Sequence, residues 1–257
     1  MLDGSTIALL MLAAFAAGWI DAVVGGGGLL QLPALLLVPG ITPVQALATN
    51  KLASIFGTAT SSAAYYRRLR PSLRETLPMA GLALLGAFGG ASVAALLPAQ
   101  VFKPIIVAAL VVVALITLLK PAFGSVTRPG PRGGRHLAIG LAIGASIGFY
   151  DGVLGPGTGT FLVISLVAFL GHDFLQASAR AKIVNFATNL GALLFFIPLG
   201  AVLWPLGLAM GAANIAGSLL GSRMALARGA RFVRVLFLIV VAALIVKLGF
   251  DIWAEGR

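Results

Sequence analysis

The chain contains no cysteine, which excludes disulfides, thiolate metal sites and cysteine nucleophiles, and says nothing of compartment. It has only two histidines, His136 and His172. With no cysteine and no histidine cluster, no zinc or haem centre is expected, and no metal or other cofactor. Charge is scarce as well: Asp, Glu, Lys and Arg make up 10% of the 257 residues, against about 25% in a soluble domain. The N-terminus carries Asp3 and no basic stretch before its apolar run, so a cleaved signal peptide is not expected.

What fills the chain instead is apolar sequence, 60% of residues with a mean hydropathy of +1.06. Uncharged runs at 76–102, 104–119 and 199–222 approach or exceed the roughly 20 residues that cross a hydrocarbon core as a helix, whereas barrel strands are ~10 residues long and alternate. The expected fold is an all-α polytopic membrane protein, a single transmembrane domain over 1–257. The 18 Lys and Arg outnumber the 7 Asp and Glu, yet most arginines cluster in short segments between apolar runs. That is topology charge, and no nucleic-acid partner is expected.

The chain reads as a first helix at 5–24, a glycine loop, a short helix at 28–38, and a third helix starting at Thr42-Pro43 and running to Tyr66. Helices to about Leu97 and to Leu119 follow, then a basic Gly/Pro-punctuated linker at 120–135. After the linker the sequence starts again. GWID at 18–21 returns as GFYD at 148–151, and Gly25 and Gly27 return as Gly155 and Gly157. From Gln45 onward a constant offset relates Gln45 to Gln176, Ala48 to Ala179, Lys51 to Lys182, Met79 to Met210, Gly86 to Gly217 and Gly90 to Gly221. This is an internal duplication, with repeat 1 over about 5–120 and repeat 2 over about 136–252.

The charge pattern flips between the copies. Segment 67–74, with Arg67, Arg68, Arg70 and Arg74, matches the uncharged 198–205, while 223–234, with Arg223, Arg228, Arg231 and Arg234, matches 92–103 with only Lys103. Because cytoplasmic loops collect Lys and Arg, the flip predicts two inverted-topology repeats with a site near the midplane. The repeats are built from broken or re-entrant helices, about 8 to 10 membrane segments in all. Both termini are then expected outside the cytoplasm.

Residues that are expensive in a bilayer mark the candidate site. Asp21, Asp151, Lys51, Lys182 and Arg180 are the charges inside apolar segments. Gly25, Gly26, Gly27 and Gly28, and Gly155, Gly157 and Gly159, cannot hold a stable helix, and unwound backbone at membrane depth must line protein or a cavity. Helix starts at Gly28 and Gly159 offer unpaired N–H groups to an anion. Lys51, Ser54, Thr58 and Ser61 share one helix face, matched by Lys182, Asn185 and Asn189 in the second copy. Two readings stay open. The lysines bind a small anionic substrate, or Asp21 with Lys51 and Asp151 with Lys182 are buried ion pairs holding helices together; the Ser, Thr and Asn side chains also serve as interhelical glue. Arg180, opposite Thr49, breaks the symmetry and belongs with the aspartates as a charge-pair or coupling residue. Gly86-x-x-x-Gly90 and Gly217-x-x-x-Gly221 are close-packing motifs, and Trp19, Trp204 and Trp253 are read as interfacial anchors.

GWIDAVVGGGGLLQLPAL followed by ALATNKL, and GFYDGVLGPGTGTF followed by ARAKIVNFATN, resemble the TauE/SafE family, and the Gly-Phe-Tyr-Asp-Gly form resembles its YfcA-like branch. The resemblance covers essentially the whole chain. It implies a polytopic transporter of the inner (plasma) membrane, from a family whose characterised members are linked to export of sulfite or movement of sulfonates and related sulfur anions. The expected function is therefore secondary transport of a small anion, a sulfur oxyanion or organosulfonate, by alternating access. The expected partners are that anion and the lipid bilayer, and a homo-oligomer is allowed. The alternative is an anion channel or a non-transporting membrane-organising protein. Tyr150-Asp151 resembles part of an intramembrane aspartyl protease, but Asp21 has no matching Gly-x-Gly-Asp context, and no enzyme is expected.

Overall fold

A computed structural model describes residues 3–98, 130–131 and 133–255. Among the described residues the chain forms eight helices: α1 Gly4–Val24, α2 Gly28–Leu36, α3 Pro43–Leu69, α4 Leu73–Leu96, α5 Gly134–Val153, α6 Thr158–Leu170, α7 Phe174–Phe196 and α8 Trp204–Glu255. The last is two helices joined across a non-helical Gly229. The segments expected to hold a helix to Leu119 and most of the 120–135 linker lie outside the described residues.

Local sequence sets the boundaries. The Asp3 carboxylate caps α1 by accepting from Thr6 N at 3.2 Å. Thr42 and Gln45 form a reciprocal capping box at the start of α3, with Pro43 in its first turn. Asp173 accepts from Leu175 N and Gln176 N at the start of α7. Two expected ends shift. The second helix stops at Leu36 rather than Val38, and α3 runs beyond Tyr66 to Leu69, because basic residues suit the carbonyl end of a helix. The second copy begins its helix at Gly134.

Two buried clusters divide the molecule into layers. One gathers Leu10 of α1, Leu35 of α2, Leu47 of α3, Ala94 of α4 and Phe196 of α7. The other gathers Val24, Tyr65, Met79, Ile143, Leu170 and Phe174. The start of α1, the end of α2 and the start of α3 therefore share one face, with the ends of α4 and α7. The end of α3, the starts of α4, α5 and α7 and the end of α6 share the opposite face, where Glu75 meets His136 and Arg180 and the His136 and His172 rings stand 6.1 Å apart. So α1–α2 forms a hairpin that returns to the face it started from, and α5–α6 forms another from the opposite face. Asn214 of α8 holds the first hairpin closed, donating to Ala14 O at 3.2 Å and to Gln31 Oε1 at 2.9 Å.

The small-residue motifs work as close-packing surfaces. A Cβ on Gly86 would lie 2.6 Å from Ala145 O of α5, and one on Gly221 would lie 2.5 Å from Trp19 O of α1, so α4 packs on α5 and α8 on α1 at near backbone contact. Trp19 is accordingly no interfacial anchor: it lies in this seam near the end of α1 that leads into the glycine loop, its Nε1 donating to Met224 Sδ at 3.2 Å. Trp204, at the start of α8, is exposed. The side chain of Trp253 lies outside the described residues.

Polarity runs opposite to that of a soluble protein. Leu9, Leu12, Leu85 and Phe169 are each more than 60% exposed, while Gln31, Asn50, Lys51, Asp151, Lys182 and Asn189 are buried. Helices α1, α4 and α5 are long and apolar enough to cross a membrane. Helices α3 and α7 place their lysines and amides on buried faces, which lowers their hydropathy, as interior helices of a membrane bundle require.

Candidate functional site

The site forms where the two glycine loops meet. Helix α1 ends on Gly25, whose φ of +86° is costly for a residue with a Cβ. A Cβ there would also overlap the Gly159 carbonyl carbon and come within 2.7 Å of Thr160 N. Thr160 ties the loops together through its N–H to Gly25 O at 3.0 Å and its hydroxyl to Val24 O at 3.2 Å. The contact is backbone against backbone.

Around it lie two buried ion pairs, and they are crossed. Lys51 Nζ is 2.6 Å from Asp151 Oδ2, and Lys182 Nζ is 3.1 Å from Asp21 Oδ2 while also donating to the Asp21 main-chain oxygen. The pairing expected from sequence, Asp21 with Lys51 and Asp151 with Lys182, is therefore wrong. Each lysine reaches across to the opposite hairpin, because each glycine loop ends beside the long helix of the other half of the chain. Thr158 reinforces one pair by donating to Asp151 Oδ1 at 2.6 Å. Three of the four side chains are 1–2% exposed; Asp21, at 13%, is the most open.

A cavity of about 20 Å³ sits between these groups, lined by Asp21, Gly25, Gly28, Lys51, Ser54, Thr58, Asp151, Gly155, Gly159, Asn185 and Asn189, together with Asn50 and Thr158. Asn189 Nδ2 donates to Thr58 Oγ1 at 3.4 Å, joining α7 to α3 across it. Most of the expected residues thus converge, and five do not. Lys182 pairs with Asp21 but does not itself line the cavity. Gly26 packs on Leu29 and Ile20. Gly27 lies against α1, where a Cβ would be 2.6 Å from Ala17 O, so its small size serves helix packing. Gly157 caps α6 with φ +79° and does not line the cavity. Arg180 lies elsewhere, on Gln176 and Glu75. Ser61 is likewise turned to its own helix, donating to Gly57 O at 2.9 Å. Asn50 and Thr158 are the residues the sequence reading missed. Asn50 adjoins Lys51, and Thr158 follows Gly157 in the second glycine loop; Asn50 Oδ1 is buried without a hydrogen-bond partner among the described residues. Among those residues no three His, Asp or Glu side chains gather as a metal site.

A chain whose described residues are folded into helices, with an apolar exterior, a buried charged centre and broken backbone at that centre, is a membrane protein. Residues 10–248 match the family model described as sulfite exporter TauE/SafE, and the chain belongs to that family. It is 42% identical over 248 residues to a probable membrane transporter protein, ORF9, of a Sinorhizobium species, covering 95% of this chain and 93% of that one. It is 34% identical over 251 residues to the probable membrane transporter protein YfcA of Escherichia coli K12, covering 98% and 92%. A probable membrane transporter protein of Haemophilus influenzae is 33% identical over 245 residues, covering 95% of each. No solved structure matches the chain. Family and relatives alike are named as membrane transporters rather than enzymes.

Proposed function

We propose that the protein is a multi-pass inner-membrane secondary transporter of a small anion, a sulfur oxyanion or organosulfonate, whose two halves are inverted repeats working by alternating access. One observation carries the reading: two buried lysines, Lys51 of α3 lining the central cavity and Lys182 of α7 paired with the cavity-lining Asp21, are each held by a carboxylate on the opposite hairpin. An anion that enters takes over the lysines, and Gly28 and Gly159 bring helix-start backbone to the same cavity wall. The family's name, sulfite exporter, supports a sulfur oxyanion as the substrate class.

The cavity volume, about 20 Å³, is close to what one water needs. An oxyanion therefore enters only when the hairpins separate, which favours a carrier that opens to one face at a time over an open anion channel. The two hairpins start from opposite faces, as inverted repeats require. The described Arg67, Arg68, Arg70 and Arg74 lie at the face of the α5–α6 hairpin, which is the cytoplasmic one by its charge.

Purified protein melted in detergent beside sulfite, thiosulfate, sulfate, taurine or chloride tests this directly. At about a hundredfold excess over Kd, a bound anion adds about 2.7 kcal/mol, and at least one sulfur anion is expected to raise Tm by several degrees. The rise should vanish in a Lys51→Met, Asp151→Asn variant. An equal rise in that variant, or none from any anion in the wild type, contradicts the assignment.

A further inference from the structure

A second and far larger cavity, about 470 Å³, opens at the arginine-bearing face between the starts of α4, α5 and α7 and the end of α6. It is separate from the central site: none of its lining residues lines the other. Arg74 and Arg180 bring two fixed positive charges to it, with His136 and His172 beside them, against one carboxylate, Glu75.

Its hydrogen bonding is incomplete. Arg180 is 9% exposed, gives one terminal nitrogen to Gln176 Oε1 at 2.9 Å, and lies 3.5 Å from a half-exposed Glu75 through the other. Its Nε is buried with no partner among the described residues, as is His172 Nε2. Burial, and then the Arg180 charge, pushes the His172 imidazole down to about 4, so at neutral pH this ring adds no repulsion and one of its nitrogens remains a donor. A buried guanidinium with an unpaired N–H and only a loosely held carboxylate is a strong attractor for an anionic oxygen.

The opposite wall is apolar, formed by Met79, Leu137, Leu141, Leu166 and Leu170, and Leu137 is 44% exposed at the rim. A simple inorganic oxyanion would satisfy the arginines and leave that wall unfilled. A ligand with a charged head and a hydrocarbon body matches both, and the cavity lies level with Arg67, Arg68 and Arg70, where lipid headgroups are found.

We propose that this cavity is a binding site for an anionic membrane phospholipid, with the phosphate on Arg180 and Arg74 in place of Glu75 and the acyl portion against the leucines of α5 and α6. Because the lipid would brace the α5–α6 hairpin against α4, the surrounding bilayer would set how readily that hairpin moves.

Native mass spectrometry of the protein in nanodiscs of equal phosphatidylglycerol and phosphatidylcholine tests it. The wild type should retain phosphatidylglycerol over phosphatidylcholine, and each arginine neutralised should cut that preference by about fivefold, the factor for ~1 kcal/mol per basic residue at a membrane surface. Arg74→Gln with Arg180→Gln should therefore bring the ratio near parity. Leu141→Trp, which crowds the apolar wall where the acyl portion would lie and keeps both arginines, should do the same and decides the matter if the arginine variant does not fold. Arg67→Gln with Arg68→Gln, on the same face but outside the cavity, should leave the preference in place. A ratio unchanged by Leu141→Trp overturns the site. So does melting data in which octanesulfonate, but not phosphatidylglycerol, stabilises the wild type and fails to stabilise Leu141→Trp, since the ligand would then be a soluble amphiphile.

Discussion

Lys51→Met is expected to lower the thermal stability of the purified protein sharply, because it leaves Asp151 buried and unpaired. Removing one member of a buried pair costs about 3–5 kcal/mol, and Lys51 and Asp151 are each only 2% exposed. The Lys51→Met, Asp151→Asn double variant should recover most of that loss, since neither remaining group carries a charge. Lys51→Met with Asp21→Asn should not recover it. That combination removes charges from two different pairs and strands both Asp151 and Lys182. The contrast between the two double variants is a direct test of the crossed pairing, read from melting curves in one detergent. Transport should stay absent from the rescued variant, because the ammonium that attracts the anion is gone. Rescue of both stability and anion flux would make these charges scaffolding and nothing more.

The glycine contact between the loops should be nearly as sensitive. Gly25→Ala combines a positive φ with a Cβ that collides with the backbone of Gly159 and Thr160, and neither neighbour is a flexible side chain that can swing away. A left-handed alanine costs about 1–2 kcal/mol, and overpacking a tight contact typically adds about 1–3 kcal/mol. Gly40→Ala isolates the first of these, because Gly40 has φ +83° with nothing near its Cβ position. Gly159→Ala isolates the second, since its Cβ would fall 2.6 Å from Gly25 Cα without a positive φ. The expected order of folded yield is Gly40→Ala, then Gly159→Ala, then Gly25→Ala, measured by size-exclusion profile and melting temperature. Equal, mild effects at all three positions would mean that the loops separate readily and that the contact contributes little.

Much of the architecture was legible because the bilayer makes certain residues expensive. Lys51, Lys182, Asp21 and Asp151 stand out in apolar sequence only where something compensates them, and the structure places Lys51, Asp21 and Asp151 around one cavity with Lys182 paired to Asp21. The glycine loops were legible as broken backbone for the same reason. Partner choice was not legible. Helical spacing places Lys51 on a face of α3, but which aspartate that face meets depends on how the two hairpins enter, and Asp21 and Asp151 sit in near-identical local sequence. Gly27 and Gly157 show a related limit. A glycine that lets a backbone approach an anion and one that lets helix α2 lie against Ala17 look the same in a string of letters. Arg180 lies only two residues from Lys182, yet that step turns it to another side of α7 and into contact with the start of α4. The larger cavity was invisible because its walls come from helix ends far apart in sequence.

Carrier behaviour at the central site is tested most directly by counterflow. Proteoliposomes loaded with millimolar unlabelled sulfite or taurine, diluted into a trace of the same labelled anion, should accumulate label transiently above its equilibrium level and then lose it. The overshoot arises because a site that faces one side at a time returns loaded more often than empty, and the Lys51→Met, Asp151→Asn variant should show none. Uptake that rises monotonically to equilibrium without saturation would identify a channel and contradict alternating access through this site.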